Sequence, residues 1–133
     1  MLAELLGIEG PLPALSYGAE RAAVGILHDA SVRGVLRSCR AISDGGMLTA
    51  LARQAFDAMR QGRRIGVEVD FGNPFCEAGG YICEVSDDAD IDLTGALRIG
   101  ATNDRPDLVV NGARFEVGRL YDIWSQPLTE LFP

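Results

Sequence analysis

The chain has 133 residues, is 47% hydrophobic and carries a net charge of −7 with a pI near 4.6. That length suits one domain with a packed core, and the composition excludes disorder. The acidity argues against nucleic acid or an anionic membrane surface as partner, and no apolar run approaches the ~20 residues that span a bilayer. All 12 basic residues are arginine, which rules out lysine Schiff bases and a P-loop lysine.

In chain order, Leu2 to Leu6 reads as one or two helical turns stopped by Gly7, and Gly10-Pro11-Leu12-Pro13 as a stiff extended connection. A helix is predicted from Ala19 to about Arg33, with Ala19, Ala22, Ala23, Ile26, Leu27 and Ala30 on its apolar face and Gly34 ending it. His28, the only histidine, lies on this helix and is read as a surface or structural residue. Val35 to Ile42 is a strand.

It leads into Ser43-Asp44-Gly45-Gly46, a polar turn, and then a second helix. Met47, Leu51, Ala55 and Met59 form one ridge of that helix, thickened by Leu48 and Ala52. Thr49, Arg53, Asp57 and Arg60 form the opposite stripe. Ser43 or Asp44 is placed to cap the first amides. The two glycines would let a ligand or another backbone approach the helix start, where free N–H groups favour an anion such as phosphate. A capped turn before a core helix is the alternative.

Ile65 to Asp70 alternates as a half-buried strand. Asn73-Pro74-Phe75-Cys76-Glu77 is a turn carrying a carboxylate, and Tyr81 to Val85 is the strand it feeds. Four aspartates between Asp87 and Asp92 lack the glycine and final glutamate of a calcium loop, so a short helix or solvated turn is expected. Leu97 to Ala101 and Leu108 to Val110 are strands joined by the turn Asn103-Asp104-Arg105-Pro106. Asn111-Gly112 signals a type I′ hairpin into Phe115 and Val117. Gly118 to Trp124 and Pro127 to Phe132 read as separate helical turns, with Trp124 as a core anchor. Cys39, Cys76 and Cys83 form no C-x-x-C pair. An odd count without framework spacing suits a reducing cytosol, with Cys39 and Cys83 as small core residues.

Ser43-Asp44-Gly45-Gly46-Met47 with Ala50-Leu51-Ala52 and Ala55-Phe56 resembles the S-D-G-G-L…A-L-A-E-M-A-F signature of phosphoribosylformylglycinamidine synthase. Phe75 and Glu77 resemble that family's F-x-E turn, residues 99 to 110 its I-G-x-V-T-D-x-P-x-L-x-I hairpin, and Leu120…Trp124…Pro127-Leu128…Phe132 its closing segment. The resemblance covers almost the whole chain as an ordered set. It implies the C-terminal domain of the family, shared with aminoimidazole ribonucleotide synthase. The implied fold is a two-layer α/β domain, a mixed sheet of four to six strands with helices on one face, here spanning residues 1–133 and lacking the family's first strand.

The full enzyme is an ATP- and Mg2+-dependent ligase that converts formylglycinamide ribonucleotide to the amidine. Its nucleotide-binding residues lie mainly in an N-terminal domain. The resemblance therefore implies a cytoplasmic domain that helps cradle phosphate through Ser43, Asp44, Gly45, Gly46 and Glu77, with no catalytic residue, no metal ligand and no activity of its own. It also implies pairing with an N-terminal half or self-association. Arg40, Ala41, Arg53, Ala78 and Tyr81 depart from the family's pattern, Tyr81 standing where an arginine would grip phosphate. Two alternatives follow: a noncatalytic assembly module of the same fold, or the matching domain of selenophosphate synthetase, a hydrogenase-maturation dehydratase or thiamine-monophosphate kinase.

Overall fold

The computed structural model describes residues 16–77, 79–89, 92 and 94–131, the side chains of 128 and 129 excepted. The turns expected over Leu2–Leu6 and Gly10–Pro13, the departure at Ala78, and Phe132 of the closing segment lie outside the described residues.

Helix α1 spans Tyr17–Val32, two residues earlier than periodicity alone suggests, because the Ser16 hydroxyl accepts the Ala19 amide and sets its start. Ala30 is buried and Ala23, Ile26 and Leu27 are half-buried, whereas Ala19 and Ala22 face solvent. Gly34 ends the helix with φ +71, and the Val35 amide reaches back to the Ala30 carbonyl. Strand β1, Leu36–Ala41, runs into helix α2, Gly46–Arg60. Strands β2 (Gly66–Val69), β3 (Tyr81–Val85), β4 (Gly100–Asn103), β5 (Asp107–Val110) and β6 (Ala113–Glu116) follow, and helix α3, Val117–Leu131, closes the described chain.

The strands form two sheets. β1 and β3 make an antiparallel ribbon, and the other four are ordered β4-β2-β5-β6. The second sheet is mixed: β2 is antiparallel to β4 and parallel to β5, which is antiparallel to β6. This is the expected α/β class, with the strands divided between a ribbon and a sheet. The seam between them is polar. Glu84 of β3 accepts from Thr102 of β4 at 2.7 Å and from Ser38 of β1 at 3.4 Å.

β4 and β5 are not a hairpin, contrary to the sequence expectation. β2 lies between them, pairing Gly66 with Asn103 on one side and Val67 with Leu108 on the other. The 104–106 turn therefore has to cross the start of β2. It does so over Gly66, where an added Cβ would lie 1.7 Å from the Arg105 carbonyl oxygen. Only glycine lets the backbone pass that closely. Turn chemistry reads the same for a hairpin and for a crossover, so local sequence did not distinguish them. The Asn111-Gly112 turn does form the expected hairpin: both residues have positive φ, 50 and 79, and Val110 pairs with Ala113.

The core lies between the four-stranded sheet and two helices. Leu51, Ala55 and Phe56 of α2 and Val117 of α3 pack with Val67, Val69, Leu108 and Val110, and Leu108 is wholly inaccessible. α3 is a single helix, with Pro127 inside it, rather than two separate turns. Val117, Leu120, Tyr121 and Trp124 lie at helical spacing along its inner face. Trp124 packs at 5.5 Å from the Phe56 ring and 6.0 Å from Tyr121, but remains 45% exposed. It borders the core rather than anchoring it.

Candidate functional site

The turn that joins β1 to α2 is built by two segments far apart in sequence. Ile42 leaves the ribbon with its amide bonded to the Gly80 carbonyl, and the Gly46 amide closes a turn on the Ser43 carbonyl. Gly45 is the N-cap of α2 with φ 83, and Gly46 follows with φ 69. Neither Ser43 nor Asp44 supplies the cap expected of them, because Gly45, a residue later, occupies that position without a side chain to give. The cap comes from elsewhere. Glu77 Oε1 accepts the Gly45 amide at 2.7 Å, and the Pro74 carbonyl accepts the Leu48 amide at 3.0 Å.

The 73–77 segment holds this position through its own asparagine. Asn73 Oδ1 accepts the Phe75 amide at 3.1 Å, and the Asn73 carbonyl accepts the Cys76 amide. The bend lays the Phe75 backbone against Gly46, so that a Cβ there would sit 2.6 Å from the Phe75 carbonyl carbon. Gly45 and Gly46 are buried; Ser43, Asp44 and Glu77 stand at the exposed rim. The five candidate residues are thus a single locus.

Its electrostatics differ from those of an open anion site. A helix N-terminus offers unpaired N–H groups and a partial positive charge. Here the Gly45, Gly46 and Leu48 amides are each taken by protein oxygens, one of them a carboxylate. An incoming anion would have to displace Glu77 from Gly45.

No family model matches the chain, and no curated protein matches it.

Three of the residues that depart from the expected motif, Arg40, Tyr81 and Arg53, lie around the locus rather than in it. Arg40 points from β1 toward α2, where its Nη2 bonds Asp57 at 2.5 Å. Tyr81 lies on the other face of the ribbon and donates its hydroxyl to Glu20 of α1 at 2.5 Å. That bond to a carboxylate pushes the Tyr81 phenol above its ordinary value. Arg53 is half-buried and lines an apolar groove of about 210 Å³ between α2 and α3, with Leu48, Phe56, Phe115 and Trp124 among its walls. His28 is exposed on α1, apart from any of this.

Two features escaped the sequence reading. Glu77 was visible as a carboxylate near a turn, but its partner, the Gly45 amide 32 positions away, was not. Cys39 and Cys83, expected in the core, lie opposite each other on the ribbon; Cys39 is exposed and Cys83 half-buried. The alternation of Arg37, Cys39 and Ala41 against Leu36, Ser38 and Arg40 held the signal, since Arg37 and Cys39 must share a face.

Proposed function

We propose that this chain acts as the C-terminal domain of a phosphoribosylformylglycinamidine synthase-type enzyme, forming the phosphate-proximal wall of an active site whose ATP and Mg2+ are held by a separate N-terminal half. One observation carries this reading. The two segments that resemble the family, the S-D-G-G turn and the F-x-E turn, meet in space through the Glu77–Gly45 hydrogen bond of 2.7 Å. Independent surface loops have no reason to converge in this way. In such a cytoplasmic enzyme the domain's task is positioning: Glu77 fixes the glycine turn, and Ser43 and Asp44 face the partner half.

The deciding experiment mixes the chain with a family N-terminal half and follows ATP-dependent amidine formation. Activity is expected only from the mixture, and Glu77→Ala should lower it. A mixture no more active than the N-terminal half alone would sink the proposal. The chain by itself should neither hydrolyse ATP nor form the amidine.

A second reading, a noncatalytic assembly module of the same fold, is favoured by the occupied amides at the start of α2. Under it, phosphate titration to tens of millimolar moves no amide resonance in residues 43–49, while the chain still associates with a partner half or with itself.

A further inference from the structure

Cys39 and Cys83 are directly opposed in the β1–β3 ribbon, with Sγ atoms 3.3 Å apart. The type of pair follows from the ladder. The Ile42 amide bonds the Gly80 carbonyl, which makes 42/80 a hydrogen-bonded pair. Such pairs alternate with non-hydrogen-bonded ones, so 40/82 is hydrogen-bonded and 39/83 is not. Opposed residues of the second kind have Cα atoms only about 4.5 Å apart, at the short end of the roughly 4.4 to 6.8 Å that a disulfide spans. A bond across this pair needs rotation of the two side chains and no movement of the strands.

We propose that Cys39 and Cys83 form a redox-responsive dithiol, a site of covalent modification that closes to an intramolecular disulfide by exchange with a low-molecular-weight disulfide. The exposed Cys39 is the entry point. Its thiolate attacks the small disulfide, one small thiol leaves, and a mixed disulfide remains on Cys39. Cys83 then gives up its proton and attacks the Cys39 sulfur, and the second small thiol leaves. Two protein thiols are oxidised, one small disulfide is reduced to two thiols, and no other reactant is consumed. The order of attack has a physical cause besides access. Burial, and then the hydrogen bond to Cys39, pushes the Cys83 thiol up to about 12, which leaves it the poorer first nucleophile. The strands that the bond would pin both feed the glycine locus: β1 leads into Ser43, and β3 follows Gly80.

The test uses the full chain carrying Cys76→Ser, so that only this pair can react. Oxidised glutathione is the probe, and alkylation followed by intact-mass and peptide analysis is the readout. The expected product lacks two hydrogens, carries no glutathione, yields a Cys39–Cys83 linked peptide and regains both thiols with dithiothreitol. Adding Cys39→Ser or Cys83→Ser should stop the reaction at one glutathione adduct or none. Two adducts on the Cys76→Ser chain, a single adduct that never resolves, or two thiols that stay free would each overturn the proposal. Peptide mapping of the unsubstituted chain reads the same bond directly if a variant fails to fold.

Discussion

The four-stranded sheet and the β1–β3 ribbon are held by different forces. The sheet buries Val67, Val69, Leu108 and Val110 under α2 and α3, and burial of apolar surface stabilises it. The ribbon buries only Ile82; Ser38 and Glu84 are polar on its inner face, bonded to Gln54 and Thr102, and two cysteines lie on its outer face. Dispersion and hydrophobic contacts tolerate no chemistry within them, whereas a half-exposed ribbon can carry thiols and a charged seam. Stability therefore resides in one part of the molecule, and the groups with chemical potential in the other.

The largest effect should come from breaking the sheet side. Leu108→Ala truncates the largest fully buried side chain among the described residues and should cost about 2–5 kcal/mol. Urea unfolding should show the midpoint falling with little change of slope. A loss below ~1 kcal/mol would mean that the core lies elsewhere.

Gly46→Val strikes where the ribbon's exit meets α2. A positive φ there costs about 1–3 kcal/mol for a non-glycine residue, and the added Cβ meets the Phe75 backbone at 2.6 Å. The expected outcome is lower stability with the phosphate response of residues 43–49 unchanged. Intact stability with loss of a phosphate response would reverse that assignment and make the turn an anion site.

Glu84→Ala cuts the seam between the two sheets and should cost roughly 1 kcal/mol, the usual net value of a hydrogen bond in a partly solvated setting. Hydrogen exchange should quicken in β1 and β3 before β2 or β5. Equal acceleration in all four would show that ribbon and sheet unfold as one unit.

The smallest effect concerns α1. Tyr81 donates to Glu20, and its phenol is raised in the folded state, so this contact contributes fully below the unfolded value of about 10 and is lost as pH rises through the folded one. Spectrophotometric titration should place Tyr81 above a free tyrosine, and Glu20→Gln should bring it back down.

Sequence by itself determined the pieces of this protein. Hydrophobic alternation and helical spacing located α1, β1, α2, β2 and β3 within a few residues, because those patterns report which side each residue buries. Asn111-Gly112 specified its hairpin, because positive φ at two consecutive positions selects that turn almost alone. The resemblance marked Ser43 to Gly46 and Glu77 as one set, with no means of showing how they meet. Tertiary structure alone decided the rest. β2 inserts between β4 and β5 because pairing depends on shared burial of Val67 and Val69 with Leu108 and Val110, which no local turn encodes. Glu77, rather than Ser43 or Asp44, caps α2 because the Asn73 bend brings a distant carboxylate to the Gly45 amide. Cys39 and Cys83 face each other because the register of two strands separated by a helix and a sheet strand places them so, and register is set only when the whole ribbon pairs.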